Sequence, residues 1–142
     1  METVLIAAGD ASLAEDMSHI LSQVGYDCCI ASDEPGLLDR MRHRRPDVIV
    51  LDAALPAMGG IRALRCLRHF DASVPVLLMT SGRGVGDWIR GVEAGANDFM
   101  ALPVRSENLV PRVAALLRQA DPAVHPFRIE DARQACPAQE HS

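Results

Sequence analysis

Five short apolar segments with the length of β-strands alternate with segments that carry apolar residues at helical spacing. The strand-like segments are residues 3–8, 26–30, 48–51, 76–79 and 98–101. Strands joined by helices must pair in parallel, because the chain crosses back over the sheet each time. Right-handed crossovers then place helices on both faces. The alternation therefore predicts an α/β fold, a doubly wound five-stranded parallel sheet.

A lone carboxylate ends the third apolar segment, at Asp52. In doubly wound sheets the reactive crevice lies beyond the carboxyl ends of the strands. The residues expected around that crevice are Ala8, Gly9, Asp52, Thr80 and Leu102. The chemistry of this site therefore depends on what the other strand ends place beside Asp52.

Composition limits the classes of partner. The chain has 142 residues and a formal net charge of -5, so we expect one globular domain and no nucleic-acid partner. All fourteen basic residues are arginine, which excludes any mechanism that needs a lysine.

The cysteines lack the spacing of a metal site and are expected to be reduced thiols; they are Cys28, Cys29, Cys66 and Cys136. No apolar stretch is long enough to span a membrane, so we expect a cytoplasmic protein.

The apolar periodicity divides the chain into a domain over residues 1–119 and a tail over residues 120–142. Several prolines and polar residues in the tail are typical of a flexible arm. Phe127 and Ile129 could instead dock on the body. Both alternatives stay open at the level of the sequence.

Residues 3–118 resemble the receiver domain of bacterial two-component response regulators. The segments that carry the resemblance are 46–52 (PDVIVLD), 55–60 (LPAMGG), 75–81 (PVLLMTS) and 91–99 (GVEAGANDF), followed by Pro103. The resemblance implies a flavodoxin-like fold with strand order 2-1-3-4-5. It also implies that Asp52 stands at the position of the aspartate that accepts a phosphoryl group from a histidine kinase in members of the family. Thr80 matches the hydroxyl residue that binds the phosphoryl oxygen, and Phe99 matches the aromatic residue that swings inward on activation.

The rest of the family's site is missing from this sequence. Receivers carry two acidic residues after the first strand that help to hold magnesium, and here Ala8 and Gly9 take those places. They also carry a lysine before the proline after the fifth strand, and here Leu102 precedes Pro103. Asp10 lies one residue beyond the usual acidic pair, and we expect it to cap the first helix.

These losses predict a degenerate phosphorylation site. Magnesium needs carboxylate ligands, and phosphoryl transfer needs cations to neutralise charge on the equatorial oxygens. We therefore expect weak or absent magnesium binding, no other cofactor, and a structural role for Asp52 in holding loop N–H groups. Enzyme activity is not expected, because no nucleophile–base pair can be assembled.

We accordingly expect a single-domain signalling protein that acts by protein contact. Family practice places the contact on the face of the fourth helix, fifth strand and fifth helix; the candidates are Trp88, Phe99, Pro103 and Leu109. The expected partners are a sensor histidine kinase, an output protein, or a second copy that forms a homodimer through this face. Two alternatives stay open: phosphorylation of Asp52 within a phosphorelay, and sensing of a small ligand in an apolar crevice near Leu102.

Overall fold

The computed structural model describes residues 2–57, 59–81 and 85–119. The predicted tail, residues 120–142, lies outside the described residues, so both alternatives for it stay predictions.

Five strands and five helices alternate strictly along the described chain. The strands are β1 (Thr3–Ala7), β2 (Asp27–Ala31), β3 (Val48–Asp52), β4 (Val76–Thr80) and β5 (Asp98–Ala101). The helices are α1 (Ala11–Gln23), α2 (Glu34–His43), α3 (Gly60–Phe70), α4 (Val85–Ala94) and α5 (Ser106–Gln119). All strand pairs are parallel, in the order β2-β1-β3-β4-β5. The predicted fold and strand order are therefore confirmed.

Successive residues of each strand enter different layers of the core, because strand side chains alternate between the two faces. In β1, Val4 and Ile6 join a cluster that includes the buried residues of α1 and α5. Leu5 and Ala7 join a second cluster, which contains the buried residues of α2 and α3 and Ala94 of α4. The sheet is covered on both faces, which explains why its strands read as continuous apolar runs.

Aspartate side chains cap the N-termini of the first two helices. The Asp10 side chain accepts hydrogen bonds at the start of α1, and Asp33 accepts one from the Gly36 amide at 2.8 Å at the start of α2. Both acidic residues have extended backbone, as N-caps do, and satisfy N–H groups that have no partner within the helix. The predicted capping role of Asp10 is confirmed.

The strand register brings the carboxyl ends of the central strands to one edge. Ala7 lies opposite Leu51, Asp52 opposite Met79, and Thr80 opposite Ala101. The residues that follow β1 and β5 therefore reach the same edge as Asp52.

Candidate functional site

Residues that are far apart in sequence line the predicted crevice. Ala8 is tied to the end of β2, because its amide donates to the Ala31 carbonyl at 3.0 Å. The Leu102 amide donates to the Thr80 carbonyl at 2.8 Å, which places Leu102 directly beyond the β4–β5 edge. The structure thus brings together the strand ends that the sequence assigned to one crevice.

The Asp52 carboxylate is buried and engaged with its own loop. Asp52 is 7% exposed, and its Oδ1 accepts a hydrogen bond from the Ala54 amide at 2.9 Å. The Asp52 carbonyl accepts from the Leu55 amide at 3.0 Å. A short acidic side chain that bonds the backbone two residues later is a common turn device. The Asp52 carboxylate thus holds an N–H group of its own loop, and its structural role stays a prediction.

The positions of the acidic pair offer no side-chain oxygen. Ala8 is 1% exposed, and a Cβ built on Gly9 would lie 2.5 Å from both Cδ and Cγ of Pro56. The Pro56 ring therefore fills the space beside Gly9. Asp10, the next carboxylate, is exposed and accepts from the Ser12 and Leu13 amides at 2.9 and 3.3 Å.

The other side of the crevice combines a buried hydroxyl residue with apolar surface. Thr80 is 1% exposed at the end of β4. Leu102 is partly buried and packs against the apolar cluster that contains Ala8, Met79 and Met100. At this position an isobutyl group packs on the core, where the resemblance would place an ammonium group. In the part of the chain that the structure describes, His, Cys, Asp and Glu form no group of three or more that could hold a metal ion.

Phe99 is clamped between an aromatic ring and the backbone of α4. Its ring stacks on Trp88, with the centroids 5.0 Å apart and the planes at 15°. A Cβ built on Gly91 would lie 2.6 Å from Phe99 Cε1 and 2.6 Å from Leu78 Cδ2. Gly91 is therefore the residue that lets the Phe99 ring approach α4. Sequence reasoning missed the role of Gly91, because nothing along the chain shows which side chain lies against it.

The exposed side of α4 carries a patch of large apolar side chains. Trp88, Ile89 and Val92 are 41%, 54% and 37% exposed. The sequence identified Trp88 as an interface candidate but not Ile89 or Val92, although an excess of apolar residues around the helix was a visible signal. Large exposed apolar patches are typical of interaction sites.

One interface candidate was wrong. Leu109 is 0% exposed and packs in the cluster between α1, α5 and the sheet. Its side chain has no surface to offer a partner, because helical periodicity turns this position of α5 toward the core. Pro103, by contrast, is exposed.

A partly buried arginine ties α3 to the segment that leads into β5. The Arg68 guanidinium donates to the Gly95 carbonyl through Nε and Nη2 at 3.1 and 2.8 Å. It also donates to Asn97 Oδ1 at 2.9 Å and to the Asp71 carbonyl at 3.2 Å. Burial lowers the pKa of Arg68 to about 10, against the attraction of Asp71. This network fixes the chain two residues before Phe99.

The Asp71 carboxylate joins a second arginine to the same corner. Arg45 Nε donates to Asp71 Oδ2 at 2.6 Å, and the Val74 and Ser73 amides donate to Oδ1 at 3.0 and 3.1 Å. Burial raises the pKa of Asp71, but these hydrogen bonds outweigh it and the net pKa is lowered. The corner formed by the ends of α2 and α3 is therefore an ordered, charged structure.

The fold and the site define a receiver of the response-regulator type, and comparison with known proteins agrees. The model of the response regulator receiver domain family matches residues 4–114, so the chain belongs to that family and to two-component signalling. No described helix is both long enough and apolar enough to cross a membrane.

Curated relatives are longer than this chain. The DNA-binding response regulator MtrA of Mycobacterium tuberculosis is 38% identical over 120 residues, which cover 84% of this chain and 52% of MtrA. Response regulator MprA of Mycobacterium sp. is 34% identical over 119 residues, which cover 84% of this chain and 52% of MprA. The chain thus spans about half the length of these relatives.

Solved structures agree over almost the whole described chain. A putative response regulator from Chloroflexus aurantiacus superposes with a TM-score of 0.79 at 30% identity, covering 82% of this chain and 98% of that one. The receiver domain of Francisella response regulator 1452 superposes with a TM-score of 0.80 at 26% identity, covering 85% and 100%.

Proposed function

We propose that this receiver domain signals through protein contact, with Asp52 acting as a loop cap and not as an efficient magnesium-dependent phosphoryl acceptor. The observation that carries the proposal is the arrangement of the three nearby side chains. Asp52 accepts from its own loop, Asp10 caps α1, and the Pro56 ring fills the space beside Gly9.

The donors at the crevice fit magnesium poorly. Magnesium requires near-octahedral oxygen coordination, and carboxylates supply the charge that retains it. Asp52 is the one carboxylate that the β1 and β3 ends contribute, since Ala8 and Gly9 have no donor atom and Asp10 is bonded to helix amides. We propose that the domain has no resident metal or other cofactor.

The side chains that the structure describes at the crevice include no cation for the phosphoryl group. Leu102 belongs to an apolar cluster, and the sequence contains no lysine that could replace it. Without a metal or an ammonium group, repulsion between a carboxylate and an incoming phosphoryl group has little to offset it. These features support a domain that is not a fast phosphoryl acceptor, and we propose that it has no enzyme activity.

The face formed by α4, β5 and α5 offers a surface through which the domain could signal by binding another protein. Trp88 and Ile89 project from α4, and Phe99 supports Trp88 from β5. Exposed aromatic side chains held by a rigid support are common anchors of protein interfaces. The partners proposed for this face are a sensor histidine kinase, an output protein, or a second copy of the chain.

A second candidate is a genuine phosphoryl acceptor at Asp52 within a phosphorelay. The observation that favours it is the placement of Thr80, which ends the strand next to β3 and lies at the same edge as Asp52. Phe99 also stands on β5, where the family's switch residue stands.

Beryllofluoride, which mimics a bound phosphoryl group, separates the two candidates. The amide NMR signals of Thr80 and Phe99 would be followed as magnesium and then beryllofluoride are added at millimolar concentration. The proposal expects no saturable shift, and exposure to acetyl phosphate should leave Asp52 unmodified by mass spectrometry. Saturable magnesium-dependent shifts at both residues would instead establish the second candidate.

A restored variant is the matched control for this experiment. Ala8→Asp combined with Leu102→Lys supplies one carboxylate and one ammonium group without adding a side chain against Pro56. The restored protein should gain magnesium-dependent shifts that Asp52→Asn in the same background removes. This control shows that the probe detects a functional site in this fold.

A further inference from the structure

Charge is unevenly distributed along the chain, independently of the Asp52 crevice. Residues 1–39 contain eight acidic residues and no arginine. Residues 40–69 contain seven arginines and two acidic residues. Both of those acidic residues are engaged internally, since Asp47 accepts from the Thr3 amide at 2.7 Å and Asp52 accepts from its own loop.

The fold places the exposed carboxylates of α1 and the exposed arginines at the end of α2 on opposite faces of the sheet. Glu15 and Asp16 are exposed on α1, which packs on one face with α5. Arg40, Arg42 and Arg44 are exposed at the end of α2, which packs on the other face. We call the first pair the acidic surface and the three arginines the basic surface.

The basic surface is not neutralised within the described part of the chain. Arg45 pairs with Asp71, but no described carboxylate lies within salt-bridge distance of Arg40, Arg42 or Arg44. The exposed carboxylate on the same helix, Asp39, lies 3.6 Å from His43 Nδ1 and not against these arginines. Their cationic groups are therefore available to a partner.

We propose that the basic surface docks on the acidic surface of a second copy of this chain. The two surfaces are complementary in charge, because each molecule carries the exposed carboxylates of the acidic surface as well as the basic surface. In a closed two-fold dimer the same region of each copy forms the contact, so two surfaces on opposite faces of the molecule cannot both take part. Their pairing is heterologous, head to tail, and it adds copies in an open row.

This association differs from the contact proposed for α4, β5 and α5 in position and in physical origin. It depends on exposed charges, which salt screens with a Debye length of about 10 Å at 0.1 M and about 3 Å at 1 M. Exposed ion pairs are individually weak, so the association should be reversible and sensitive to salt. The net charge of -5 opposes close approach of copies, which further limits its strength.

Charge reversal on each surface tests the proposal in the full chain. One variant carries Glu15→Arg and Asp16→Arg, and the other carries Arg42→Glu and Arg44→Glu. Sedimentation velocity would be recorded over a range of concentrations, at about 0.1 M and about 1 M salt. The native protein should show a sedimentation coefficient that rises with concentration at low salt and stays constant at high salt.

Each variant alone should lose the rise in sedimentation coefficient, because both of its surfaces then carry the same sign. An equimolar mixture should regain the rise, because each variant now complements the other. Circular dichroism of each variant checks that it is folded. Arg118→Glu, at an exposed site on α5, is the control and should leave the association unchanged.

Three results would overturn the proposal. The first is a native protein that stays monomeric at low salt, which would leave the basic surface to an unrelated acidic partner. The second is a mixture that sediments as the sum of its components. The third is loss of association in Trp88→Ala, which would assign self-association to α4 instead.

Discussion

Replacement of Arg68 by methionine should loosen the corner that positions β5. Methionine keeps an unbranched apolar stem but removes every guanidinium hydrogen bond. Three acceptors then lose a charged donor: the Gly95 carbonyl, the Asp71 carbonyl and Asn97 Oδ1. Asn97 Oδ1 keeps the Val76 amide at 2.8 Å, so the two carbonyls carry most of the loss.

The size of the effect follows from these contacts. A hydrogen bond to a charged group contributes about 1.5–3 kcal/mol, and an acceptor left unsatisfied costs about 1–3 kcal/mol. Burying the charged guanidinium costs free energy, as the lowered pKa of Arg68 shows. Removing the charge therefore recovers part of the stability that the lost hydrogen bonds take away. We expect Arg68→Met to lower the free energy of unfolding by about 2–4 kcal/mol.

Urea unfolding followed by the fluorescence of Trp88, the single tryptophan of the chain, measures this loss. With an m-value of about 2 kcal/mol per molar urea, the midpoint should fall by roughly 1–2 M. Arg62→Met is the matched control, because Arg62 is exposed on the same helix and should shift the midpoint little. A shift for Arg68→Met no larger than that of the control would refute the reasoning.

Three further predictions concern other parts of the structure. Gly91→Ala should displace the stacked ring and change the emission of Trp88 in the folded protein; unchanged emission would contradict the tight contact. Asp71→Asn should destabilise the protein at neutral pH but not in acid. The lowered pKa means that the carboxylate's contribution is complete above about pH 4 and is lost as pH falls through the folded pKa; calorimetry across pH measures this. Gly9→Ala should lower the melting temperature in the native background but not in Pro56→Ala, and equal shifts in both would refute the contact.

Much of the fold could be predicted from local patterns. Short apolar runs that alternate with helical periodicity allow few architectures, because each run must be covered on both faces. Capping by Asp10 was equally local, since an N-cap carboxylate reaches amides only two and three residues away. Side-chain identity likewise determined that no lysine faces Asp52 and that Ala8 and Gly9 offer no ligand atom.

Other features depended on contacts between residues far apart in the chain. The resemblance assigned Leu109 to the contact surface of α4, β5 and α5, whereas the structure buries it in the cluster with α1 and the sheet. The Pro56 ring beside Gly9, the Phe99 ring against Gly91, and the Arg68 bonds to Gly95 join residues 8 to 47 positions apart. Sequence sets which groups exist and the period with which they repeat. Tertiary packing decides which of them meet, because distances across a core depend on every element that fills it.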